Sequence, residues 1–155
     1  MKIGFANDHS AIEMKQELIL YLKAKGYEIV DFGTDTTAAV DYPDYGEKLG
    51  NAVKNHEVDL GVAICGTGVG ISLACNKVHG IRACCCSEPY SARYSRLHND
   101  ANIICFGARV IGVETAKMIL DNFVDIPWQG AQQDGERHRR RVEKIMDIER
   151  RNGTQ

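Results

Sequence analysis

The chain lacks any apolar run long enough to cross a membrane. No apolar stretch in the 155 residues approaches the ~20 consecutive residues that a bilayer-spanning helix needs. Its first ten residues turn polar after four or five positions, too early for the hydrophobic core of a secretion signal. We therefore expect a cytoplasmic protein, and its length predicts a single domain over residues 1–155.

An excess of charge of one sign is also lacking. The 19 basic and 21 acidic residues leave a net charge of -2. Nucleic-acid-binding proteins usually carry a basic excess or a basic face, so neither nucleic acid nor a membrane is an expected partner. The hydrophobic fraction of 44% and the charged fraction of 26% are those of an ordinary globular domain, which excludes a disordered or fibrous chain.

Cysteine occurs six times, but not with the spacing of a metal site. Cys84, Cys85 and Cys86 are consecutive, and successive side chains of a strand point to opposite faces. Three such neighbours cannot close around one metal ion, and disulfides are not expected in a reducing compartment. We therefore predict that these three cysteines are small core residues and that no metal is bound.

What the chain does have is an alternation of short apolar runs with longer amphipathic stretches. The apolar runs predict strands over residues 2–6, 27–32, 60–64, 81–86 and 102–106. The amphipathic stretches predict helices over about residues 10–25, 45–54, 71–77, 89–97, 113–123 and 136–150. In the first helix the apolar residues form the core face, and Lys15 is predicted to face solvent.

Apolar strands that are each followed by a helix predict the α/β class. The expected fold is a three-layer, Rossmann-like open parallel sheet of five strands with a C-terminal helix. Ligands of such sheets bind beyond the carboxyl ends of the strands. The polar, Gln-rich segment 127–135 is predicted to be a linker that frees the last helix to pack elsewhere, including on a partner subunit.

The strongest local signal is the segment CGTGVG at residues 65–70, directly after the third predicted strand. Alternate glycines at a strand-to-helix turn let backbone N–H groups approach an anionic ligand closely. The start of the next helix stabilises a thiolate at Cys65, which makes this residue a candidate nucleophile or base. A buried strand-end cysteine is the alternative interpretation. A nucleotide loop is disfavoured, because no Gly-Lys-Ser/Thr follows.

Two other clusters are weaker when each is taken alone. His98 and Asn99 end a predicted helix, where a histidine can shuttle protons or simply interact with the helix carbonyls. Arg137 and Arg141 lie four residues apart on the last helix, a spacing that suits a two-pronged phosphate site but also a solvated basic face.

Taken together, these motifs resemble the type B ribose 5-phosphate isomerase family, which also includes allose 6-phosphate and galactose 6-phosphate isomerases. The resemblance is carried by CGTGVGIS at 65–72, NK at 76–77, GIRA at 80–83, SEPYSA at 87–92, HND at 98–100 and RH at 137–138. It runs in order over nearly the whole chain.

The resemblance implies an aldose–ketose isomerase that interconverts ribose 5-phosphate and ribulose 5-phosphate through an enediolate. Cys65 is implied as the base, Thr67 as the group that assists proton transfer between the two oxygens, and His98 as the group that opens the sugar ring. Some relatives use a carboxylate base just after the glycines, and Ile71 stands at that position here. The implied substrate-binding residues are Asp8, His9, Tyr42, Gly66, Gly68, Val69, Gly70, Asn99, Arg109, Arg137 and Arg141.

The resemblance also implies that no cofactor is required and that the chain forms a homodimer or a dimer of dimers. Its active site is then expected at the subunit interface, with His98 and Asn99 reaching across to the Cys65 loop of the partner. Two departures from the family pattern leave the substrate open. Ser10 and Ala11 follow Asp8-His9, and the segment 128–136 is longer than usual and places Glu136 beside Arg137.

The same chemistry on a hexose 6-phosphate of allose or galactose is therefore an alternative. A non-catalytic subunit of such an isomerase is another, although the presence of Cys65, Thr67, His98 and Asn99 together disfavours it. A nucleotide-binding regulatory module is a third.

Overall fold

A sheet of five parallel strands forms the centre of the protein. The computed structural model describes residues 1–153. Its strands are β1 (Lys2–Asn7), β2 (Glu28–Asp31), β3 (Leu60–Cys65), β4 (Ala83–Cys85) and β5 (Ile103–Gly107), in the order β2-β1-β3-β5-β4. All four pairings are parallel. The predicted α/β class and open five-stranded sheet are confirmed.

Helices cover both faces of this sheet. They are α1 (Ile12–Ala24), α2 (Tyr42–Lys54), α3 (Val69–Cys75), α4 (Pro89–Asn99), α5 (Val113–Asp121) and α6 (Glu136–Asn152), with a 3-10 turn at Gln129–Ala131. One core cluster joins the sheet to α1, α4 and α5, and a second joins it to α2 and α3. The domain therefore has three layers, as predicted.

Alternation along β3 shows how the two cores share one strand. Val62 and Ile64 belong to the core under α1, α4 and α5, whereas Ala63 and Cys65 belong to the core under α2 and α3. Successive strand residues point to opposite faces, so a strand covered on both sides is apolar throughout. Every residue of β3 is accordingly buried.

The element boundaries differ from the predicted ones by up to three residues. Helix α2 begins at Tyr42, three residues before the predicted start at residue 45, because Pro43 occupies its first turn. Proline is well tolerated there, since the first N–H groups of a helix have no intrahelical partner. Strand β4 is short and lies at the sheet edge, and Cys85 is exposed there, so its predicted place in the core is wrong.

The predicted orientation of Lys15 is also wrong. This residue is 1% exposed. It precedes Leu18 by three positions and Leu22 by seven, so helical periodicity places all three on the buried face of α1. Near the start of the helix that face meets the polar chain after β2 rather than the apolar core, which is how a lysine is accommodated.

The last helix contacts its own chain, and the expectation that it also packs on a partner subunit stays a prediction. The Glu149 carboxylate accepts the Gly80 N–H at 3.0 Å, and Arg82 Nη1 lies 3.5 Å from Met146 Sδ.

Among residues 1–153, no helix has the length and apolarity to span a membrane.

Candidate active site

Cys65 ends β3 under the first turn of α3. Its Sγ accepts a hydrogen bond from the Gly68 backbone N–H at 3.1 Å, and the residue is 4% exposed. Gly68 has φ +80°, and a methyl group there would lie 2.6 Å from the Phe106 carbonyl carbon. Only glycine combines this backbone angle with this close approach. The glycine loop thus brings a backbone donor onto the thiol.

Side chains from three other segments surround this loop. A methyl group at Gly70 would lie 2.6 Å from Tyr42 Cζ, so the Tyr42 ring covers that end of the loop. At the other end, Gly66 lies beside Arg109, whose backbone N–H donates to the Gly66 carbonyl at 3.1 Å. Thr67 is exposed, and its Oγ1 accepts the Val69 N–H at 3.3 Å. The loop therefore presents a hydroxyl, a phenol and a guanidinium around the thiol.

The end of β1 adds a carboxylate and an imidazole. Asp8 is buried, and its Oδ1 accepts hydrogen bonds from the Ser10 N–H at 2.9 Å and the Ser10 hydroxyl at 2.5 Å. His9 Nδ1 accepts the Val40 N–H at 3.3 Å. A neutral ring held in this way carries its proton on Nε2, where it can donate to an anion. A cavity of about 550 Å³ lies against His9 and Ser10, between the starts of α1 and α5.

The other predicted site residues form a separate cluster near the amino ends of the strands. His98 and Asn99 end α4, and Arg137 and Arg141 lie exposed in the first two turns of α6. The His98 ring stacks on the ring of His138 with 4.2 Å between centroids and 13° between planes.

The topology separates these two clusters within one chain. Cys65 pairs with Gly107 at the carboxyl end of β5, whereas His98 precedes Ile103 at the amino end of the same strand. The strand spans four residue steps, roughly 13 Å at ~3.3 Å per residue. Within one chain, Cys65 therefore lies at the carboxyl ends of the strands and His98 lies near their amino ends.

His138 is a residue of this second cluster to which the sequence assigned no role. It is 3% exposed, and its Nε2 accepts a hydrogen bond from Arg137 Nε at 3.1 Å. Burial, followed by the charges of His98, Arg137 and Arg141, lowers the pKa of His138 below its ordinary value. The RH pair at 137–138 was the available signal, but neighbouring helix residues are not expected to share one site.

The three consecutive cysteines of β4 and the chain after it have raised pKa values. Burial raises the pKa of Cys86 to about 12, and it also raises the pKa of Cys84 and of Cys85. These thiols therefore keep their protons near neutral pH. Within the described residues 1–153, no group of three or more His, Cys, Asp or Glu side chains is arranged to hold a metal ion.

Comparison with known proteins decides the family. The model of the Ribose/Galactose Isomerase family matches residues 3–145. The chain belongs to this family. It is 51% identical over 150 residues to ribose-5-phosphate isomerase B of Escherichia coli (strain K12), covering 97% of each chain. It is 39% identical over 131 residues to a D-erythrulose-4-phosphate isomerase of Pectobacterium atrosepticum, covering 84% of this chain and 86% of that one.

A solved structure of ribose-5-phosphate isomerase B from Clostridium thermocellum superimposes on this isomerase with a TM-score of 0.92. The two are 50% identical, over 97% of this chain and 99% of the other. These findings confirm the resemblance predicted from the ordered motifs, the fold and the enzyme class. They leave the roles of the individual site residues as predictions.

Proposed function

We propose that this isomerase interconverts ribose 5-phosphate and ribulose 5-phosphate and that Cys65 is the base. The observation that carries the proposal is the Cys65 thiol at the carboxyl end of β3, beneath the start of α3, with the Gly68 N–H directed at its sulfur. A thiolate formed there has a backbone donor and a helix N-terminus to stabilise it. The 51% identity to the Escherichia coli enzyme over nearly the full length supports the substrate.

The reaction moves one proton between neighbouring carbons. In the open-chain aldose, the Cys65 thiolate takes the proton from C2, and the electrons pass to the carbonyl oxygen on C1 to form an enediolate. The thiol then returns its proton to C1, while a proton moves from the oxygen on C2 to the oxygen on C1 with help from the Thr67 hydroxyl. The exposed hydroxyl lies two residues from the thiol and suits this exchange.

The enediolate intermediate needs preorganised donors, because a proton next to a carbonyl is only weakly acidic. The backbone N–H groups of Gly66, Thr67 and Gly70 are assigned this role at the start of α3, since those of Gly68 and Val69 already donate to Cys65 Sγ and Thr67 Oγ1. Asp8 and Tyr42 border the same space and position the ring oxygen and the hydroxyls. No step calls for a metal ion or an organic cofactor.

Phosphate binding away from the reacting carbons supplies the energy that orients the substrate. His9 and Arg109 lie on the Cys65 side of the sheet, and each can donate to phosphate oxygens. Arg137 and Arg141 complete the phosphate site from the other cluster.

Because the two clusters lie at opposite ends of the strands, the complete site requires a second copy of the chain. We assign the ring-opening histidine to the partner subunit's His98, with Asn99 beside it. A homodimer with two shared sites is the smallest assembly that satisfies this arrangement, and a dimer of dimers also does. The free thiols of all six cysteines suit a reducing compartment such as the cytoplasm.

The experiment is an isomerase assay on a panel of sugar phosphates with the purified protein. Ribose 5-phosphate should give the highest kcat/KM, and allose 6-phosphate and galactose 6-phosphate should be poor substrates. Turnover of none of the panel would overturn the proposal and favour a non-catalytic subunit.

A shorter substrate is a second candidate, because the relative from Pectobacterium atrosepticum is a D-erythrulose-4-phosphate isomerase. The chemistry is the same, and the distance between the phosphate and the reacting carbons differs by one carbon. Glu136, at the start of α6 next to Arg137, could alter that distance. Including D-erythrulose 4-phosphate in the panel distinguishes the two, and a higher kcat/KM for it would replace ribose 5-phosphate as the substrate.

A further inference from the structure

A buried lysine lies close to the candidate site and has no part in the mechanism above. Lys15, in the first turn of α1, is 1% exposed. Its Nζ lies 2.8 Å from the carboxylates of Asp31 and Asp35 and donates to the Thr34 carbonyl at 3.1 Å. The lysine therefore ties α1 to the chain that leaves β2.

The charge of this lysine is retained in the folded protein. Burial by itself lowers the pKa of Lys15, but the hydrogen bonds and the attraction to Asp31 and Asp35 outweigh burial and raise it. A buried ammonium is costly even when it is paired, and an apolar side chain of similar volume is often as good for stability. Core packing alone thus does not account for a charged group at this position.

The same short segment is held from a second side by Asn7. The Asn7 amide accepts the Thr34 N–H at 3.1 Å and donates to the Thr34 carbonyl at 3.0 Å. A methyl group on Gly33 would lie 1.9 Å from Asn7 Oδ1, so only glycine lets the chain approach this amide. Thr34 is buried, and its carbonyl accepts from both Asn7 and Lys15.

From Thr34, which Lys15 and Asn7 hold, the chain continues to His9 at the proposed phosphate end of the site. Residues 35–39 are exposed and are connected by short turns in which Thr34 and Thr36 side chains accept backbone N–H groups. The chain then places the Val40 N–H on His9 Nδ1 and the Tyr42 ring over Gly70. The contacts with Lys15 and Asn7 are the buried attachment that precedes this exposed stretch.

We propose that Lys15 is a positioning residue for substrate phosphate, which acts by fixing the segment 34–42 so that Val40 holds His9 with its Nε2–H directed at the phosphate. The proposal rests on the proposed function, because it assigns His9 to the phosphate site. It makes an internal ammonium, rather than a group that touches substrate, a determinant of affinity.

The test is Lys15→Met, which keeps an unbranched side chain one atom shorter and removes its charge. KM for ribose 5-phosphate should rise about tenfold while kcat changes less than about threefold, as expected for loss of ground-state and transition-state binding together. Asp35→Asn, at an exposed partner of the same ammonium, should shift KM in the same direction by a smaller factor and covers the case in which Lys15→Met does not fold.

A double-mutant cycle separates positioning from general destabilisation. In a His9→Gln background, Lys15→Met should change KM by less than about twofold, because the residue through which it acts is gone. Lys117→Met is the matched control, since Lys117 forms two ion pairs of similar length with Glu17 of α1 and Glu114. It should lower the melting temperature without changing KM.

A measurement that does not depend on activity keeps this proposal distinct from the proposed function. Long-range ¹H–¹⁵N spectra of the His9 ring should show the Nε2–H tautomer in the wild type and a mixture in Lys15→Met. Should the wild type turn over no sugar phosphate, the proposed function fails and these spectra still decide the role of Lys15. An unchanged His9 tautomer, or an equal effect of Lys15→Met on KM with and without His9, overturns the proposal.

Discussion

At the scale of single residues, Cys65 differs from Cys75 and Cys85 in the direction of its hydrogen bond. Its sulfur accepts a backbone N–H from Gly68, whereas Cys75 and Cys85 donate their thiols to the carbonyls of Gly46 and Thr67. An accepting sulfur at the start of a helix is the arrangement that suits a thiolate, and a donating thiol suits the protonated form. The geometry thus distinguishes Cys65 from these two sulfurs.

We predict that Cys65→Ala reduces kcat for isomerisation at least ~10²-fold, the usual contribution of a positioned proton-transfer group. The fold should survive, because alanine removes only the sulfur. The measurement is kcat together with the melting temperature. Cys85→Ala is the control, since that sulfur lies 3.8 Å from the Thr67 carbonyl yet has no role in the chemistry. Near-normal activity of Cys65→Ala would place the base elsewhere.

The burial of Lys15 could not be predicted from the sequence. The position of Cys65 at the end of a strand and before a helix was predictable, because a strand, a cysteine and alternate glycines follow one another along the chain. The burial of Lys15 depends on Asp31 and Asp35, which lie 16 and 20 residues away and reach the ammonium only in the folded protein. A polar residue on a helix is assigned to solvent unless its partners are known.

At the scale of elements, the strands were predictable because their apolar runs are dictated by burial on both faces. The start of α2 was not, because Pro43 reads as a loop residue and is equally suited to the first turn of a helix. The packing of α6 was not either. It depends on contacts of Glu149 with Gly80 and of His138 with His98. These residues are far apart in the sequence, so no local pattern predicts that they meet.

The helix α6 carries a prediction about phosphate. Arg141→Ala should raise the Kd for ribose 5-phosphate by roughly 30-fold, or about 2 kcal/mol, the size of a lost hydrogen bond to a charged group. Binding of unphosphorylated ribose should not change. Calorimetry on both ligands measures this, and Arg140→Ala, an exposed neighbour on the same helix, is the control. Equal affinity of the wild type for ribose and ribose 5-phosphate would contradict the phosphate assignment.

The same helix carries a prediction about acid stability. The folded protein holds the pKa of His138 below its ordinary value of 6.5, through burial and the charges of His98, Arg137 and Arg141. Between the two pKa values the unfolded chain binds more protons, so stability falls as pH falls through this range. The contribution is complete above about pH 6.5 and is lost progressively below it.

Replacing His138 with glutamine should remove this contribution. The free energy of unfolding, measured by urea titration between pH 8 and pH 5, should therefore fall less steeply in His138→Gln than in the wild type. Parallel curves for the two proteins would show that His138 is not the group that titrates.

At the scale of the whole molecule, the order β2-β1-β3-β5-β4 decides which predicted residues can meet. In a parallel sheet each helix returns the chain from the carboxyl edge to the amino edge. A residue at the end of a strand and a residue at the end of a helix therefore lie at opposite edges. Cys65 ends β3 and His98 lies at the end of α4, so their separation within one chain follows from topology. The family resemblance supplied both residues, and the fold supplies the reason for proposing a site that two chains share.

Complementation between two inactive variants tests the shared site. Cys65→Ala and His98→Ala homodimers each carry a lesion in both sites and should be nearly inactive. Unfolded together in equal amounts and refolded, half of the dimers should pair one variant with the other. In such a heterodimer one site combines both lesions and the other combines neither, so roughly a quarter of all sites, and of the wild-type activity, should return. The heterodimer fraction is measured by native mass spectrometry and the activity by the ribose 5-phosphate assay. A site contained within one chain gives no such recovery, because every chain keeps its own lesion. Heterodimers present at the expected fraction without activity would therefore place Cys65 and His98 in one subunit, which the strand geometry opposes.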